Sequence, residues 1–143
     1  MIRPLMLDAG PLGMLVHPHP NREFAEWYSA QRDAGVAFII PEIADFELRR
    51  ELIRAGLGAS VRRLDGLIDS LAFWPLNTPA MRRAAELWAI ARNRGRPTAD
   101  PRELDCDVIL AAQAEQAGAE VITENTGHLG LFVPVRHWKA PRG

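Results

Sequence analysis

Val36-Ala37-Phe38-Ile39-Ile40-Pro41-Glu42-Ile43-Ala44-Asp45-Phe46-Glu47-Leu48-Arg49-Arg50 is the stretch on which the fold turns. Its first five residues form a compact apolar run, the length of a buried strand. Pro41 follows at once, where a helix accepts proline at its first position, and Glu42 puts an acid in the first turn. The helix runs to about Ala55, where Gly56 ends it. A buried strand handed directly to a helix is how a parallel sheet with covering helices begins.

The same alternation continues outward. Upstream, residues 2–7 read as a first strand ending at Asp8. Gly10-Pro11 reads as a break before a short helix over 12–16. Asn21 caps a helix over 22–34, which Gly35 stops. Downstream, a helix over 59–70 precedes a third strand over 71–76. Thr78-Pro79 opens a helix that Gly95 closes. Residues 96–104 read as a polar loop, and Asp105 as the cap of a helix over 106–117 that Gly118 ends. A fourth strand covers 120–123 and a short fifth 132–135. The prediction is one α/β domain over residues 1–138, with a frayed tail at 139–143. Its core is a mostly parallel sheet of four to five strands, flanked by helices on both faces.

Composition agrees. A chain of 143 residues, 48% hydrophobic and 24% charged, suits one soluble globular domain. No apolar run approaches the roughly 20 residues of a spanning helix. The opening apolar run is cut at Asp8, too early for a signal-peptide core, so a cytoplasmic protein is expected. The single cysteine, Cys106, excludes a disulfide framework and a thiolate zinc cluster. The net charge of -1 argues against coating nucleic acid by charge alone, so any phosphate binding has to be local. The 17 basic residues are 16 Arg and Lys139, a bias that suits phosphate but also follows from genome composition.

In open parallel sheets, ligands bind beyond the carboxyl ends of the strands. Asp8 lies there, either as a cap ahead of Gly10-Pro11 or as a functional acid. Glu47 sits four residues after Ile43 and so borders the apolar stripe of its helix. It reads either as a solvated partner of Arg50 or as a site acid. Asp105 and Asp107 flank Cys106 at the head of a largely buried helix. Capping explains both, yet like charges there raise each other's pKa, and a divalent cation relieves that. Asn125 follows the fourth strand as a turn residue or site amide. His128 is a surface histidine, a local cap or a site-edge group. Together Asp8, Glu47, Asp107 and Asn125 offer hard oxygen ligands that suit Mg²⁺ or Mn²⁺ rather than Zn²⁺. Such a cluster activates water and neutralises charge on a phosphodiester.

Four segments in this order resemble the PIN-domain family, and within it the VapC-type ribonucleases. They are Met6-Leu7-Asp8-Ala9-Gly10-Pro11-Leu12, the block from Ile40 through Glu47 to Arg50, Leu104-Asp105-Cys106-Asp107-Val108-Ile109-Leu110, and Val121-Ile122-Thr123-Glu124-Asn125-Thr126-Gly127-His128-Leu129. The resemblance spans nearly the whole chain. Ala9 departs from it, where a Ser or Thr often follows the first acid. Asn125 stands where some members carry a fourth acid.

The resemblance implies a metal-dependent endoribonuclease, the toxin of a toxin–antitoxin pair. Asp8, Glu47 and Asp107 would hold Mg²⁺ or Mn²⁺ directly or through water, with Asp105 as a secondary ligand or cap. Asn125 would orient the attacking water or the metal shell, with Thr123 and His128 at the polar edge. Arg49 and Arg50 are candidates for RNA phosphate contacts, or else a solvated helix face. A small antitoxin and a homodimer are the implied partners. The competing reading is a non-catalytic RNA- or protein-binding module on the same fold. Two other phosphotransfer folds fit poorly: a haloacid-dehalogenase phosphatase needs an acid where Gly10 stands, and a receiver domain needs a late lysine where the chain has only Lys139. Trp27, Trp74, Trp88 and Trp138 are read as core or interface residues before base-stacking ones.

Overall fold

The structure is a computed structural model and describes residues 2–95 and 101–140. Five strands form one sheet: β1 (Leu5–Leu7), β2 (Phe38–Pro41), β3 (Ala72–Trp74), β4 (Glu120–Ile122) and β5 (Val135–Arg136). Their order is β3-β2-β1-β4-β5, and every pairing is parallel. The helices are α1 (Ala9–Val16), α2 (Arg22–Asp33), α3 (Glu42–Arg54), α4 (Gly58–Ser70), α5 (Thr78–Asn93), α6 (Pro101–Ala117) and the short α7 (Thr126–Leu129).

Alternation along the central strands builds two cores. Met6, Ile39 and Val121 face α5 and α6, meeting Ala84, Leu87, Val108 and Ala111. Leu5, Leu7, Phe38, Ile40 and Ile122 face the other way, onto Leu12 of α1, Phe24 of α2, Leu52 of α3 and Leu64 of α4. Small residues in α6 (Ala111, Ala112, Ala114) are fully buried and let that helix lie close to the sheet. Trp138 is buried edge-on against Phe24, and Trp27 packs beside both. Trp74 packs at the edge of the other core.

Prolines shorten the strands. Pro4 has no N–H to give, so the ladder starts where its carbonyl accepts from Glu120, and Ile2 lies outside the sheet. Pro75 follows β3. The fifth strand begins after Pro134, one turn later than the apolar run at 132 suggests, while the Pro134 carbonyl accepts from Val121.

Gly10-Pro11 does not break the chain: α1 begins at Ala9 and runs through both. Pro11 is its third residue, where no intrahelical N–H bond exists to lose. Pro41 closes β2 and precedes α3 rather than opening it. The cap of α5 is Asn77, not Thr78; its side chain accepts from the Ala80 N–H at 2.9 Å. Asp105 is no N-cap, because α6 starts four residues earlier at Pro101, with Glu103 in its first turn. Of the expected polar loop, 96–100 lie outside the described residues, as do 141–143 of the tail.

Candidate active site

Strand order reverses between β1 and β4, the sheet's topological switch point. Asp8 follows β1 there. Its backbone N–H donates to the Ile122 carbonyl at 3.0 Å, extending the ladder one step and setting Asp8 beside Thr123. Asp8, the expected site acid, is also the cap of α1. Asp8 Oδ1 accepts from the Ala9 N–H at 2.7 Å, and Oδ2 accepts from the Thr123 hydroxyl at 2.8 Å. Thr123 is fully buried and in turn accepts the Asn125 N–H at 2.9 Å. Asn125 is exposed, with Nδ2 3.3 Å from His128 Nδ1. His128 shares a small, largely apolar hollow with Asp107, Arg94, Leu104 and Phe132.

Glu47 comes from α3 and Asp107 from α6, both half-buried. Burial pushes the Glu47 carboxyl up to about 7, and the negative charges of Asp8 and Asp107 push the same way. Arg50 and a hydrogen bond from the Cys106 thiol oppose them. Burial, then Asp8 and Glu103, lifts Asp107 to about 7. Asp8 is raised as well, chiefly by burial, with Thr123 and the Ala9 N–H pulling down and Glu124 pushing up. The thiol of Cys106 is pushed up to about 11 by burial and by Glu47, so it is no nucleophile at neutral pH. Three acids thus share one electrostatic site, in which Asp8 resists the ionisation of Glu47 and Asp107, and Asp107 that of Glu47.

Among the described residues, no group of three or more His, Cys, Asp or Glu side chains is placed to hold a metal ion as it stands. The donor chemistry still fits Mg²⁺ or Mn²⁺. Such ions keep several waters and bind through one or two carboxylates, and a dication reverses the repulsion that raises these pKa values.

The remaining expected residues divide. Asp105 is exposed and lines a groove with Met81, Trp88 and Ile109, facing α5 rather than the acids. Arg49 is held by Asp45 at 2.9 Å and Asp65 at 2.8 Å. Arg50 makes no ion pair among the described residues, so the solvated Glu47–Arg50 pair is not formed; its guanidinium lies 5.0 Å from the Phe46 ring centroid.

Sequence reasoning passed over Glu103, Glu124 and Gln113. Gln113, 0% exposed, accepts the Ile43 N–H at 3.2 Å and donates to the Trp74 carbonyl at 2.7 Å. It thereby serves the N-terminus of α3, which has no side-chain cap of its own. A polar residue inside the alanine-rich stretch of α6 was its only signal.

Residues 5–129 match the sequence profile of the PIN domain. The chain belongs to the PIN-domain family. Solved structures with this PIN fold include VapBC2 from Rickettsia felis bound to a DNA fragment from their promoter. There the identity is 15%, the match covers 94% of this chain and 98% of that one, and the TM-score is 0.76. DNA-bound VapBC from Salmonella typhimurium matches at 20% identity over 96% and 99% of the two chains, with a TM-score of 0.69. FitAcB from Neisseria gonorrhoeae matches at 21% over 94% and 97%, with a TM-score of 0.64. At these identities the likeness is one of PIN fold. No curated protein sequence matches significantly. No helix among the described residues is long and apolar enough to cross a membrane.

Proposed function

We propose that this PIN domain is a metal-dependent endoribonuclease of the VapC type, the toxin of a toxin–antitoxin pair. PIN domains are in general nucleases that use divalent metals. The observation that carries the reading is the grouping of Asp8, Glu47 and Asp107 at the switch point, where the Asp8 charge raises both other carboxyls and the Asp107 charge raises Glu47. These three would hold Mg²⁺ or Mn²⁺, directly or through water. A cation bound there lowers the pKa of water and neutralises charge on the scissile phosphate.

The chain's own groups do the rest. Thr123 and the Ala9 N–H fix the Asp8 carboxylate. Asn125, tied to Thr123 through its backbone and set against His128, orients the attacking water or the metal shell. Water adds to phosphorus in line as the bond to the departing ribose oxygen breaks, and the proton the water gives up is balanced by the one that oxygen takes. The VapBC and FitAcB likenesses support a small antitoxin partner. A cytoplasmic homodimer belongs to the same proposal.

The test is cleavage of a mixed RNA panel by purified protein with Mg²⁺, with Mn²⁺ and with EDTA, beside Asp8→Asn. Metal-dependent cutting that the variant lacks is expected. No cutting by folded, inhibitor-free protein would overturn the nuclease and leave the RNA- or protein-binding module.

A further inference from the structure

One turn of α3 carries both an acid of the centre and an exposed aromatic ring under an arginine. Phe46 is 52% exposed, a large apolar surface for water to cover. The Arg50 guanidinium lies over that ring, and Arg50 is also the cation that acts on Glu47. The neighbouring Arg49 is spoken for by Asp65 and by Asp45, which it neutralises within the same groove. Glu42, the other acid there, accepts the Leu76 N–H at 2.7 Å. The groove therefore has an apolar floor of Phe46, Ile53 and Leu76, with one cation, Arg50, in no ion pair among the described residues and near enough to the acids to act on Glu47.

We propose that Phe46 and Arg50 form a nucleotide platform for the substrate strand: an unpaired base stacks on the Phe46 ring while Arg50 holds the phosphate beside it. The inference rests on the ribonuclease reading and adds to it that the strand leaves the acids across α3 and is single-stranded there. Aromatic faces accept any base, and an arginine fork suits phosphate. A second exposed pair, Trp88 under Arg92 at 5.6 Å, is a natural control. Its groove is walled by Asp105 and lined by none of the three central acids.

The experiment is binding of a fluorescent, mixed-sequence single-stranded RNA to the Asp8→Asn protein, read by anisotropy across a salt series. Cleavage by the otherwise wild-type protein and sedimentation are measured in parallel. Phe46→Leu keeps an apolar side chain but removes the ring, and should weaken binding on the order of 10-fold. Phe46→Trp should restore it. Arg50→Gln should lower the slope of log affinity against log salt by about 0.7, the share of one single-strand phosphate. Trp88→Leu should change neither. In cleavage, Phe46→Leu should raise KM more than it lowers kcat.

If Phe46→Leu and Arg50→Gln bind and cut like their parents while the parent cuts RNA, the platform is overturned and the nuclease stands. If those variants instead dissociate a dimer without altering RNA affinity per protomer, the face is a contact between copies and the proposal fails. If the parent neither binds nor cuts RNA, both readings fall together.

Discussion

Thr123 shows what a single buried hydroxyl can govern. It donates to Asp8, accepts from Asn125, and sits 115 residues from Asp8 in sequence. Thr123→Val keeps the shape and leaves Asp8 Oδ2 without its donor and the Asn125 N–H without its acceptor. The expected cost is about 1–3 kcal/mol of stability in urea unfolding, with cleavage reduced. Thr123→Ser should recover most of both; equal losses in the two variants would count against the hydrogen bonds. Asp107 makes the opposite case. Burial and the charges of Asp8 and Glu103 make its ionised form unwelcome, so Asp107→Asn should abolish cleavage yet raise the metal-free Tm at pH 8 by about 4 °C, roughly 1 kcal/mol. A lower Tm would mean that the acid is structurally needed. Strand ends and helix stripes place Asp8 and Glu47 in sequence but leave cap, surface acid and site acid open; the family resemblance is what groups them with Asp107. Thr123 was placed only at the site's edge, since a β-branched residue after a strand is ordinary, and its partner lies across the sheet.

At the scale of elements, helix starts were the hardest to place, because several residues could each supply the cap. Asp105 and Pro101 both open a plausible α6; the helix takes the earlier start, with Pro101 at its head and Glu103 in its first turn. Asp105 then turns toward α5 while Asp107 stays with the acids. Similarly Asn77 wins over Thr78 because its side chain reaches the Ala80 N–H and also receives Gln116 Nε2 at 3.0 Å. The start of α3 was illegible locally, since its helper is Gln113, 70 residues away. Gln113→Leu should strand the Ile43 N–H and the Trp74 carbonyl in the core. The expected loss is about 2–4 kcal/mol in denaturant unfolding. Because α3 carries Glu47, kcat should fall as well, measured at a temperature where the variant remains folded. Full activity in a destabilised variant would show that α3 holds its position without this link.

For the whole molecule, sheet topology decides where charge accumulates. Apolar runs alternating with helices foretold the parallel sheet, but not its order, which follows from pairings of β1 with both β2 and β4. That order groups Asp8, Glu47 and Asp107, and Arg50, Thr123 and the Cys106 thiol offset only part of what burial and repulsion cost them. Glu47 and Asp107 have folded-state pKa values of about 7, above their ordinary 4.5 and 3.8. A raised carboxyl pKa means that the folded state binds protons more tightly than the unfolded one. Its stabilising effect is full below about pH 4 and is lost as pH rises through about 7. In EDTA, Tm should therefore fall between pH 5 and pH 8, by on the order of 5 °C, as one coupled titration of the group. Mg²⁺ or Mn²⁺ should oppose that fall. At 100 times its Kd, a cation bound only by the folded state adds about 2.7 kcal/mol. The gain should be large at pH 8 and small at pH 5, where protons occupy the ligands. Asp107→Asn should flatten both the pH dependence and the metal response. Melting curves across pH, with and without metal, test this without any RNA. A wild-type Tm indifferent to both would mean that the three acids do not act as one cation site.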